Sequence, residues 1–170
     1  MTSLTSTDYA PPHAGYVALV DEDDILTAMQ EQSSVTQKLL ASLDEQRAAY
    51  RYGSDKWSVK EVIGHIVDAE RILGYRALAV ARGDTQPLPG FDENAYVQHA
   101  SFDSWKLGDL AEEYALVRRA DIVFFQNLPP EAWDRRGTAN QHPVSVRGLA
   151  YVIVGHERHH LKVLREKYNV

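Results

Sequence analysis

Cysteine is absent from this 170-residue chain. That excludes disulfides, thiolate metal ligands and a cysteine nucleophile. Basic residues are outnumbered, 18 Lys and Arg against 24 Asp and Glu, for a formal charge of −6. A nucleic-acid surface normally shows clustered Lys and Arg, and the pair Arg135-Arg136 is too short to supply one. No apolar run is long enough to cross a bilayer. Met1 to Tyr16 has neither a basic start nor an apolar stretch, so no signal peptide is expected and a cytoplasmic location is. Strand signals are scarce, and neither a repeat nor a low-complexity segment occurs.

Helical periodicity is what remains, and it recurs four times. Residues 1–20 read as a flexible tail and 21–170 as a single domain. A first helix is expected from about Asp23 to Tyr50, opened by the acidic run Asp21 to Asp24, which complements a helix N-terminus. The second has the clearest start: Ser58 and Glu61 form a capping box, and Trp57 with Val62 a hydrophobic staple. It is expected to run to about Arg82, where Gly83 stops it. An unstructured connection covers Gly83 to about Asp103. The third helix, about Ser104 to Asn127, ends at Leu128-Pro129-Pro130, after which Glu131 to Trp133 makes a further turn. A second connection, Gly137 to Pro143, leads to Ser145 as N-cap of the last helix. The fold class is therefore all-α, a four-helix bundle with long connections between helices 2 and 3 and between 3 and 4.

Histidines interrupt two of the apolar faces. His156 and His160 stand four apart within Leu149, Val152, Ile153, Val163 and Leu164, so both rings lie on one helix face. His65 sits among Val62, Ala69, Ile72 and Leu73 on the second helix. Two buried imidazoles that share a cation each satisfy one nitrogen, and a third ligand from a facing helix leaves the open position of a catalytic site. The expected metal ligands are His65, His156 and His160, and imidazole suits Zn²⁺ and Ni²⁺ alike. His159, at the edge of the stripe, is expected at the rim of the pocket, and His142 is expected to line it. His13 and His99 fall in the tail and a connection, where exposed histidine is ordinary. His156-Glu157-Arg158-His159-His160 also satisfies the zinc-protease pattern. Only ten residues follow His160, and none of them turns back to serve as the further ligand such proteases take. Asp68, one turn from His65, and Glu157 are the candidate bases. The Gly83–Asp103 connection is a candidate lid, with Phe91, Tyr96 and Phe102 as apolar contacts and Asp92 and Glu93 facing a polar group of the substrate.

Several separated motifs occur together in order. Trp57 to His65 with Asp68-Ala69-Glu70-Arg71 resembles the second helix of the DinB/YfiT-like superfamily. Leu88-Pro89-Gly90-Phe91-Asp92-Glu93 and Leu128 to Trp133 resemble its connections, and Gly155 to His160 its last-helix metal motif. The resemblance covers roughly Ile25 to Tyr168. It implies a four-helix bundle, often a homodimer, whose divalent metal is held by the positions of His65, His156 and His160. It also implies a metal-dependent hydrolase, or a transferase or isomerase that uses a low-molecular-weight thiol, acting on a small molecule. The competing expectation is a non-enzymatic metal-binding bundle that acts through a ligand or a protein partner.

Overall fold

The computed structural model describes residues 4–170. Among these residues seven α-helices and one hairpin follow in order: α1 (Ala14–Val17), α2 (Ile25–Ser42), α3 (Glu45–Ala48), α4 (Val59–Ala81), α5 (Glu93–Ala100), α6 (Leu107–Gln126), β1 (Arg136–Ala139), β2 (His142–Ser145) and α7 (Val146–Tyr168). The long helices α2, α4, α6 and α7 form the bundle, and each packs on two others: α4 on α7 and α6, and α2 on those same two. No helix among the described residues is long and apolar enough to cross a membrane.

Local chemistry explains most boundaries. Asp24 caps α2 by accepting from Leu26 and Thr27 N–H. The first helix is shorter than its periodicity suggests, because Leu43 is extended and Asp44 caps the separate turn α3 through Arg47 N–H at 2.7 Å. Both halves of the α4 capping box form, Ser58 Oγ accepting from Glu61 N–H at 3.1 Å and Glu61 Oε2 from Ser58 N–H at 2.8 Å. Gly83 ends the helix at φ +82°, a left-handed conformation that costs glycine little. Ser145 caps α7 by accepting from Gly148 N–H at 3.0 Å.

Three segments differ from the sequence expectation. The Gly83–Asp103 connection contains α5, capped by Asp92, whose short polar stretch carries little apolar periodicity. The Gly137–Pro143 connection becomes the β1–β2 hairpin, turned at Asn140 and Gln141 with φ 49° and 66°. Positive φ at both central residues is the two-residue hairpin turn, and four-residue strands containing Pro143 are too short to show alternation. The expected tail is folded from residue 4 onward, while residues 1–3 lie outside the described part. Gly148 and Gly155 are the cause: a Cβ at either would meet the carbonyl oxygen of Asp8 or Tyr16, at 1.8 and 2.1 Å. Their bare backbones let the N-terminal segment lie directly on α7.

The interior is layered. One apolar cluster holds Met29, Leu73, Phe125 and Val152, and another holds Leu40, Val62, Leu110 and Leu164. Between them every bundle helix supplies a polar group. Arg118 of α6 is fully buried and donates from Nε and Nη2 to Glu70 of α4 at 2.6 and 2.8 Å. Its Nη2 also reaches Glu157 of α7 at 2.6 Å. The other Glu157 oxygen accepts from Tyr114 at 2.7 Å and from Thr36 of α2 at 2.5 Å.

Asp121, one turn beyond Arg118, borders this layer with a buried Oδ2 that has no partner among the described residues. Burial, and then the Glu70 charge, push its carboxyl up to about 7, against a smaller opposing pull from Arg118. A raised carboxyl pKa costs stability where the group is ionised, above pH 7. The cost fades as pH falls through 7 toward the unfolded value near 3.8. Asp121→Asn is therefore expected to stabilise the fold at pH 8 by about 1–3 kcal/mol. Thermal melts should show this gain shrinking to nothing by pH 4. An equal gain at both pH values would mean that ionisation is not the cause.

Candidate metal centre

His65 enters the interior from the first half of α4, and His156 and His160 from successive turns of α7. The two helices run antiparallel, so the three rings meet. His65 Nε2 and His160 Nε2 lie 3.0 and 3.1 Å from His156 Nε2, and the three candidate ligand atoms all fall within 4.8 Å of one another. Trp57 packs on His65 with ring centroids 5.0 Å apart, and Tyr16 stands edge-on to His156 at 5.3 Å.

This arrangement fits a cation better than a hydrogen-bonded cluster. A ring nitrogen carries one proton or one lone pair, so it makes one well-directed hydrogen bond. His156 Nε2 faces two other nitrogens, and one contact is therefore left unpaired inside the fold. A divalent ion would take a lone pair from each ring. Nitrogens about 2.0–2.1 Å from one ion stand about 3.0–3.4 Å apart at ordinary angles, close to the two separations seen. Burial keeps the rings neutral and their lone pairs free. It lowers His65 to about 4, with the Glu93 charge pulling the other way. It lowers His160 to about 3, helped by His65 and His159, and His156 well below the usual range.

The triad lines a cavity of about 340 Å³. Phe91 and His142, both expected at the pocket, line it. Tyr96 packs on Phe91 with centroids 5.2 Å apart but borders a neighbouring groove with Tyr75 instead. His159 touches Tyr16 and His160 from outside the cavity lining. Phe102 is buried in the apolar cluster around Val62, and Asp92 caps α5.

Neither candidate base reaches the cavity. Glu157 is spent on Arg118, Tyr114 and Thr36 in the buried polar layer, because the residue after His156 points about 100° around the helix from it. Asp68 is half-buried on the α6 side; burial and the Glu113 charge raise its carboxyl, and Arg71 lowers it. Glu93, at the start of α5, does line the cavity, and its charge acts on both His65 and Tyr16. Tyr16, His13, Arg76 and Asn140 also line it. The first two lay in the expected tail. Arg76 had a visible signal, since His65, Ala69, Leu73 and Arg76 continue one face of α4.

The fold is shared by solved structures of low sequence identity. One is YfiT from Bacillus subtilis, described as a probable metal-dependent hydrolase with an unusual four-helix bundle topology. It is 13% identical over 93% of each chain, with a TM-score of 0.71. Another is a mycothiol-dependent maleylpyruvate isomerase at 13% identity and TM-score 0.69, matched over 85% of this chain and 61% of its own. A histidine-to-alanine variant of such an isomerase matches equally well, at 12% identity and TM-score 0.69. No curated protein matches the sequence. A family model described as the DinB superfamily matches residues 28–164, which covers most of each of the four bundle helices and all three histidines. With the bundle and that match over most of its length, the chain belongs to the DinB superfamily.

Proposed function

We propose that this protein is a divalent-metal-dependent enzyme that acts on a small molecule, by hydrolysis or by transfer of a low-molecular-weight thiol. The observation that carries the reading is the convergence of three neutral imidazole nitrogens in the lining of one cavity. His65, His156 and His160 would hold the ion, with Zn²⁺ and Ni²⁺ as the two candidates. An ion held by three neutral ligands supplies Lewis acidity toward a water or a thiol at its open position.

The chain's own residues supply the rest. Glu93 is the cavity carboxylate, and beside His65 it is the group to accept a proton from the nucleophile. Tyr16 and Trp57 pack on His156 and His65, and the apolar faces of their rings reduce the water around the triad. The likeness in fold to a hydrolase and to a thiol-dependent isomerase supports testing both nucleophiles. Turnover of ester, amide and thiol-adduct substrates should stop on chelation and return with added metal. Glu93→Gln should lower kcat by about 10²–10⁴-fold with metal content unchanged. Turnover indifferent to chelation would reject the reading, and a stoichiometric metal without any turnover would favour a ligand-binding bundle.

The location proposed is cytoplasmic, and the assembly a symmetric homodimer, the commonest closed oligomer. Light scattering should give twice the 19.2 kDa chain mass. A monomer mass across a wide concentration range would reject the dimer.

A further inference from the structure

Arg76 is the one strong charge on the α4 wall of the cavity, and it is only 5% exposed. Buried guanidinium groups are normally matched by carboxylates, as Arg118 is in the polar layer. Arg76 makes no salt bridge among the described residues. Its single protein hydrogen bond runs from Nη2 to the carbonyl of Pro89 at 2.6 Å, and the Phe91 ring lies 5.9 Å away. Five N–H donors on one guanidinium leave most of its bonding capacity unused. His13, in the same lining, has a buried Nδ1 with no partner among the described residues. A guanidinium without a salt bridge and an imidazole nitrogen without a partner thus share one cavity.

We infer that Arg76 is a carboxylate-binding residue, and that the cavity takes a small organic acid with its carboxylate on Arg76 and its reacting end at the histidine triad. The spacing supports this division. Arg76 follows His65 by three helical turns on the same face, about 16 Å along the axis. Helical side chains lean toward the N-terminus, so Arg76 leans toward His65 and shortens the gap. The wall between them is apolar: Ala69 and Leu73 from α4, Leu149 and Val152 from α7. An acid with an apolar body matches that order of surfaces. The charge match is to a single carboxylate rather than a phosphate dianion, because burial, the Arg76 charge and then His142 all disfavour a protonated His13. The identity of the reacting end rests on the metal-centre reading, whereas the Arg76 assignment does not.

The test uses 4-phenylbutyrate and its neutral amide as probes, with calorimetric titration of the purified protein before and after chelation. The acid is expected to bind at least about tenfold more tightly than the amide in both states. Arg76→Gln keeps a donor for the Pro89 carbonyl and removes the charge. It should abolish the preference while leaving amide affinity unchanged, and Arg76→Lys should keep part of it. Equal binding of acid and amide by the natural protein would overturn the assignment. So would full preference in a folded Arg76→Gln variant, or a preference that vanishes on chelation, since the acid would then be sitting on the ion. Absence of metal would overturn the metal-centre reading alone and leave the Arg76 preference measurable.

Discussion

Replacing any one of His65, His156 or His160 with alanine is expected to empty the metal site. With three protein ligands, each substitution leaves two, and the loss in affinity is expected to be on the order of 100-fold or more, since even groups that only orient a ligand cost 10–100-fold. Elemental analysis should fall from about one equivalent to a small fraction, while far-ultraviolet circular dichroism stays helical. The fold is expected to survive because the three rings line a cavity, so their loss enlarges existing space. His159→Ala is the control: its ring touches Tyr16 and His160, but it is not one of the three grouped nitrogens. It should keep its metal. Full occupancy in a first-named variant would remove that residue from the ligand set, and an emptied site in His159→Ala would mean that the α7 pair had been misassigned.

Arg118→Met is expected to cause the largest loss of stability of any single substitution proposed for this chain. The natural side chain is fully buried and pairs with two carboxyl groups, Glu70 and Glu157, which are 3% and 0% exposed. Removing it leaves like charges facing one another without water. Breaking a buried pair by deleting one partner typically costs about 3–5 kcal/mol. At about 2–4 °C per kcal/mol for a chain of this size, Tm should drop by roughly 10 °C. Replacing all three with well-packed apolar groups is expected to recover much of the loss, because the desolvation cost disappears with the charges. Glu157→Gln separates the structural role from the catalytic one that its place beside His156 first suggested. A lower Tm at unchanged specific activity agrees with the polar layer. An inactive variant of natural stability would return Glu157 to the chemistry.

The same layer shows where sequence patterning loses sight of the molecule. Glu157 reads as a candidate base beside His156, and nothing marks Arg118 or Glu70 as buried, because periodicity reports apolar positions and is silent about charges that pair inside. Thr36 of α2 and Tyr114, a turn before Arg118 on α6, complete the set, and nothing local to either announces it. Glu93 was visible only as part of a candidate lid. Its place in the cavity depends on α5, a helix too short and polar to leave a periodic trace.

What the sequence by itself determined is the bundle and its histidines. The α4 capping box, the glycine stop at Gly83, the Ser145 cap and the 3.6-residue apolar stripes are local properties, encoded within a few residues of where they act. The i, i+4 spacing of His156 and His160 is equally local, since helix geometry alone puts both rings on one face. The tertiary structure decided everything that requires two distant segments to meet. It brought His65 within 3.0 Å of His156 across 91 residues, and it laid the N-terminal segment along Gly148 and Gly155. It turned Glu157 into the polar layer, and it left Arg76 in the cavity wall with no salt bridge among the described residues. The physical reason is common to all four. Spacing along a helix sets which face a side chain occupies, but only packing sets what that face meets, and a buried charge takes its role from its partner.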